Sequence, residues 1–182
     1  MKFQRNDGGP VIHAIEDITN ARDSMMNAID GIDISGTTPL SETLYEAGQY
    51  YAGRLVDFGN RGPILSVDSS RRPADPDLYQ SPIEYGCQKN HIVLLSDGSP
   101  SNDIDADDSI TALPGFSTLI GASCDGSGDG ACLDDMAAYL FAADLDPNLP
   151  GKQNVVTHTV GFTADLPILA STAARGGGTY TV

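Results

Sequence analysis

The chain has 182 residues, the length of one ordinary domain built on one core. Ten Lys and Arg against 25 Asp and Glu leave a net charge of −15, which repels phosphate backbones and anionic lipid surfaces and so argues against nucleic acid as a partner. No stretch reaches the roughly 18 to 20 apolar residues of a membrane span, and the first residues lack the charged-then-apolar pattern of a secretory leader.

At the N-terminus, Met1 to Phe3 and Val11 to Ile15 read as strand pieces joined by an Asn6-Asp-Gly-Gly9 turn. Thr19 to Ile29 carries Ala21, Met25, Ala28 and Ile29 at helical spacing. A second helix is expected from Pro39, at its first position with Thr38 as the cap, to about Arg54. Its apolar side, with Leu40, Leu44, Ala47 and Tyr51, is suited to packing on a sheet. From Gly59 to about residue 90, prolines, serines and arginines without periodicity predict a long surface loop.

The run His91-Ile-Val-Leu-Leu-Ser96 is a strand expected to be buried on both faces, and it ends in Asp97-Gly98. A second irregular segment, 98–130, leads to a helix from about Ala131 to Leu145 with Leu133, Met136, Ala137 and Leu140 on one stripe. Asn154 to Phe162 is a strand, Leu166 to Arg175 a short helix and Gly178 to Val182 a last strand. Strands alternating with helices predict an α/β fold, a mostly parallel sheet with helices on both faces.

Asp97 stands where open α/β sheets bind ligands, at the carboxyl end of a strand. Two readings follow: the carboxylate faces a cation, or it caps the turn through its side chain. A threonine from Gly36-Thr37-Thr38 converging on Asp97 would supply hard oxygen ligands, suited to Mg²⁺, Mn²⁺ or Ca²⁺ rather than zinc. Asp125-Gly-Ser127-Gly-Asp129-Gly130 matches the start of an EF-hand loop, but the position that needs a bidentate glutamate is Met136, with Asp134 or Asp135 as substitutes. Cys124 and Cys132 flank that loop and could close it as a disulfide, leaving Cys87 over; three reduced cysteines are the alternative.

Thr38 in GTTPLSETLYEA, Asp97 in NHIVLLSDGSPSND, and the tail NVVTHTVGF with LASTAARGGGTYTV resemble the von Willebrand factor A domain. More closely, they resemble the A-domain of PilY/PilC-type tip proteins of type IV pili, over nearly the whole chain. The resemblance implies a Rossmann-like A-domain fold, 1–182, and a metal-ion-dependent adhesion site. Thr38 and Asp97 would hold its ion, Ser99 and Asp103 would add contacts through water, and the ion's open position would take an acidic group of a ligand. The family's first-strand Asp-x-Ser-x-Ser loop is absent: Asp68-Ser-Ser-Arg-Arg72 and Asp125-Gly-Ser-Gly-Asp129 lack its final serine. The chain therefore resembles the family from its second strand onward, and upstream sequence is expected to supply the first strand, the serine loop and a secretion signal. Without them the ion keeps two side-chain anchors and binds weakly.

The implied function is non-enzymatic: adhesion or protein binding on a type IV pilus, outside the cell after transit through the periplasm. Its partners would be pilin-like subunits or a surface ligand bearing an acidic group. The rival is a scaffold or pilus-subunit contact module that uses no metal. A metal-dependent hydrolase fits less well: His13, His91 and His158 form no Asp-His pair, Leu95 stands where a haloacid-dehalogenase nucleophile would, and Gly126-Ser127-Gly128 lacks the strand that precedes a nucleophile elbow.

Overall fold

The computed structural model describes every residue except 5, 6, 34, 35, 163 and 164. The chain opens with a short antiparallel pair, β1 (Phe3–Gln4) and β2 (Asp7–Gly8), followed by helix α1 (Ile18–Asp30) and helix α2 (Leu40–Tyr51). A second hairpin, β3 (Arg71–Arg72) with β4 (Asp75–Tyr79), lies inside the segment that sequence pattern marks as loop. Strand β5 (Asn90–Ser96) follows, then the short helices α3 (Asp107–Thr111) and α4 (Phe116–Leu119), and helix α5 (Leu133–Ala142). Strand β6 (Val155–Gly161), helix α6 (Pro167–Arg175) and strand β7 (Gly177–Thr181) complete the chain.

The architecture is mixed α/β around a three-stranded parallel sheet in the order β5-β6-β7. Asn90 stands opposite Val155 and the pairing runs unbroken to Ser96 opposite Gly161. Helices α5 and α6 cover the sheet face that carries Leu94, Val155, Thr157 and Thr159, and α5 in turn packs on α2. Gly48 permits that last crossing, since a Cβ there would lie 2.5 Å from the terminal methyl of Met136. The main core runs from Leu40, Leu44 and Phe58 through Met136, Leu140 and Leu169; a smaller one gathers Val11, Tyr50, Val56 and Tyr79 on the far side of α2.

All residues of α2 are buried, including Ser41, Glu42, Thr43, Glu46 and Gln49. An apolar stripe alone would leave half of such a helix in water, so its polar side must be bonded inside the protein. Glu46 meets that need by accepting from the backbone N–H groups of Asp57 (3.1 Å), Phe58 (3.0 Å) and Gly59 (2.9 Å) and from the Tyr79 hydroxyl (2.6 Å). Glu42 accepts from the N–H of Gly8 at 2.8 Å. Gly8 is thus a strand residue pressed on α2, where a Cβ would fall 2.6 Å from the Thr43 nitrogen, and not the turn residue the Asn6-to-Gly9 pattern suggests. Asn6 itself lies outside the described residues, and Val11 to Ile15 is irregular rather than strand.

Two other expectations change. Pro39 occupies the position before the helix and Thr38 does not cap it; α2 begins one residue later than its proline signal indicates. And β5 is buried on one face only: Leu94 is 6% exposed, whereas Val93 and Leu95 on the opposite face are 55% and 49% exposed. An apolar run shows that a strand is greasy, but not that something covers both its faces. Helix α1 stands off this face, with Ala21 its one buried residue and Ile18, Met26 and Ile29 exposed. No helix of the described residues is long and apolar enough to cross a membrane.

Candidate metal centre

The loops that carry Thr38 and Asp97 meet beyond the carboxyl end of β5. Thr38 forms an antiparallel bridge with Ser101: the Ser101 N–H donates to the Thr38 carbonyl at 3.1 Å, and the Thr38 N–H donates to the Ser101 hydroxyl at 3.1 Å. Thr38 is half-buried there, while Asp97 and Ser99 are exposed. Gly98 does not adopt a positive φ and a Cβ on it would meet nothing within 4 Å, so the sharp turn falls instead at Asn102, with φ of 54°.

Asp103 is fully buried and its carboxylate closes the N-terminus of α2. It accepts from the Ser41 N–H (2.9 Å to each oxygen), the Ser41 hydroxyl (2.9 Å) and the Glu42 N–H (3.3 Å). These are the donors that a helix leaves unpaired in its first turn, and the negative charge also suits the positive end of the helix dipole. Burial nevertheless pushes the Asp103 carboxyl up to about 6, against the pull of those hydrogen bonds. Burial likewise raises Glu42 and Glu46 to about 7.

A second acidic group lies around the disulfide loop. Cys124 and Cys132 are bonded, with Cα atoms 5.2 Å apart, and Cys87 is free and exposed. Within and after this loop, one carboxylate oxygen each from Asp125, Asp134 and Asp135 lie within 4.8 Å of one another, the one such group among the described residues that could hold a metal ion. Asp134 and Asp135 are buried in the first turn of α5; Asp125 is exposed and its N–H donates to Asp135 at 3.0 Å. Arg175, from the end of α6, reaches all three, at 3.0 Å from Asp125 and 3.2 Å from Asp134 with a close pair to Asp135. Three carboxylates and one guanidinium leave the cluster net negative, and a divalent ion there would compete with Arg175 for the same oxygens.

The EF-hand-like residues Asp125, Ser127 and Asp129 share a hollow of about 380 Å³ with Pro100, Asp134 and Ser171. They do not converge as one set, because Asp129 turns to accept from the Asp103 N–H at 2.7 Å while Asp125 turns to Arg175. Asp134 also accepts from the Ser171 hydroxyl. The three aspartates were legible in sequence, as the EF-hand-like Asp125 with Asp134 or Asp135 standing in for its glutamate; Arg175, 40 residues from Asp135, was the partner that sequence could not show.

Among the histidines, His91 and His158 stack across β5 and β6 with their nitrogens 3.2 Å apart, and His158 also bonds Thr179 at 3.0 Å. His13 bonds the Ala14 carbonyl and the Ser24 hydroxyl. No protein-family model, curated protein or solved structure matches this chain.

Proposed function

We propose that this chain is a metal-dependent adhesion or protein-binding domain of the von Willebrand factor A type, from a PilY/PilC-like protein of a type IV pilus. The observation that carries the reading is the Thr38–Ser101 contact, which joins the threonine loop to the loop of Asp97 at the carboxyl end of a parallel strand. Thr38 and Asp97 would hold Mg²⁺, Mn²⁺ or Ca²⁺, with Ser99 reaching it through water. Asp103 is less available for that task because α2 uses its carboxylate. An acidic group of the partner, a pilin-like subunit or a surface ligand, would complete the ion's coordination. The Cys124–Cys132 disulfide supports an oxidising compartment, as expected for a protein that crosses the periplasm to the cell surface.

A second reading puts the ion at Asp125, Asp134 and Asp135, favoured by the convergence of their oxygens. Calorimetric titration of Mg²⁺, Mn²⁺ and Ca²⁺ into this chain and into a version extended upstream, each beside its Asp97→Ala and Asp125→Asn forms, separates the readings. Binding lost in Asp97→Ala and kept in Asp125→Asn supports the adhesion site; the reverse pattern moves the ion to the disulfide loop. No binding to either protein leaves a metal-free scaffold.

A further inference from the structure

The sheet face opposite α5 and α6 carries a pair of histidines that the rim does not use. His91 is the second residue of β5 and His158 the fourth of β6. His91 stands opposite Val156, and Val93 opposite His158, so the histidines are diagonal neighbours on one face with the two valines beside them. Their ring centroids are 5.4 Å apart, but His91 Nδ1 and His158 Nε2 approach to 3.2 Å. Both residues are held: the Tyr51 hydroxyl donates to the His91 carbonyl at 3.0 Å, and His158 Nδ1 meets Thr179 of β7. His91 lies about 20 Å along the strand from Asp97, at about 3.3 Å per residue, so the pair shares no ligand with the rim.

One donor that cannot reverse fixes the protons of the neutral pair. The Thr179 N–H donates to His158 Nδ1 at 3.1 Å, so that nitrogen accepts and the His158 proton sits on Nε2. Nε2–H then donates to His91 Nδ1, and the His91 proton is on its own Nε2, away from the contact. Two nitrogens thus face each other across one proton. Their separation is close to the ~3.3 Å that a tetrahedral ion, bound at about 2.0 to 2.1 Å, sets between two imidazole ligands. An ion takes the place of that hydrogen bond when His158 shifts its proton to Nδ1, where the Thr179 hydroxyl, 3.0 Å away, accepts it. No proton is released. The exchange gives up the N–H···N bond and the Thr179 N–H bond and gains two coordinate bonds.

We propose that His91 and His158 form a bidentate site for a borderline transition ion, Cu²⁺, Ni²⁺ or Zn²⁺, bound through His91 Nδ1 and His158 Nε2. Thr179 orients His158, and water fills the remaining positions. Imidazole nitrogen suits these ions, and Cu²⁺ binds most tightly among them. Mg²⁺ and Ca²⁺ want oxygen ligands instead, so this site and the rim select different metals. The site is independent of any ion held by Thr38 and Asp97.

The test is heteronuclear NMR of the imidazole nitrogens in the whole chain, at about pH 8, where free histidine is neutral, with millimolar Mg²⁺ present to occupy carboxylates. Zn²⁺, which is diamagnetic, is the probe. The expected result is a switch of His158 from the Nε2–H to the Nδ1–H form as Zn²⁺ is added, while His91 keeps its proton on Nε2 and shifts at Nδ1. His13 serves as the internal control and stays unmoved. In calorimetry with Cu²⁺, His91→Gln and His158→Gln should each weaken binding by about a hundredfold and Thr179→Val by about tenfold, the loss of a ligand and of a ligand's support. Because the tautomer is read in the unaltered protein, the outcome does not depend on how the variants fold. The proposal is overturned if Zn²⁺ leaves His158 in its Nε2–H form, if either glutamine variant binds Cu²⁺ as the wild type does, or if His13 responds at the same Zn²⁺ concentration as the pair, which would make the binding that of any surface imidazole.

Discussion

Replacing Asp103 by alanine tests whether this carboxylate serves the fold or an ion. Ser41 and Glu42 have zero exposure, so their backbone N–H groups and the Ser41 hydroxyl have no water to turn to once the carboxylate is gone. Loss of a helix cap costs about 1 to 2 kcal/mol. Stranding a buried donor adds about 1 kcal/mol or more. The sum, about 3 kcal/mol, corresponds to a fall in Tm of about 6 to 12 °C for a domain of this length. Circular dichroism melts at pH 7, run with a chelator and again with millimolar Mg²⁺, would read it. Asp103→Asn keeps one acceptor oxygen and should lose about half as much. The capping argument fails if Asp103→Ala melts within about 2 °C of the wild type, or if its deficit appears only when Mg²⁺ is present, which would make Asp103 a ligand first.

Acid should stabilise this protein. The folded-state values of Glu42 and Glu46, about 7, and of Asp103, about 6, all lie above their ordinary values, so the folded state holds protons more tightly than the unfolded chain. Their contribution is complete below about pH 4 and is lost as pH rises through 6 to 7; Tm should decline across that window, less steeply in Glu46→Gln, and a rising Tm would refute the assignment. Removing the disulfide as Cys124→Ser with Cys132→Ser opens a short loop and should cost about 2 to 3 kcal/mol by chain entropy, read as a shift in the midpoint of urea unfolding. The two faces of β5 should respond oppositely to truncation: Leu94→Ala should cost about 2 to 5 kcal/mol and Leu95→Ala about 0.5 kcal/mol or less, and equal costs would mean that the outer face is covered.

Local pattern was enough to find α1, α2, α5, α6 and the three parallel strands, each within a few residues, because apolar spacing and chain breakers act over single elements. It missed β3 and β4, since β3 has only two residues and the five of β4, Asp75-Pro-Asp-Leu-Tyr79, carry a proline and two aspartates and no apolar alternation. What joins distant segments was also out of reach. Asp103 caps a helix 62 residues upstream, where sequence suggested Thr38, and Arg175 gathers aspartates from 40 and 50 residues away. Glu42 and Glu46 look like the solvated side of α2 until Gly8, Phe58, Gly59 and Tyr79 are seen to surround them. Of the candidate site, the residue types and the two loops were legible; their contact through Ser101 was not.

The enclosure of α2 also bears on how the chain folds. Its polar residues are bonded to Gly8, Phe58, Tyr79 and Asp103, and its apolar ones reach Met136 on α5. Few of these partners are local, so α2 cannot gain its stabilisation as an isolated helix and must wait for loops of some 30 to 90 residues to close, roughly. That topology predicts refolding on the slow side for a domain of this size, in a transition whose nucleus is spread along the chain instead of seated in one hairpin or helix.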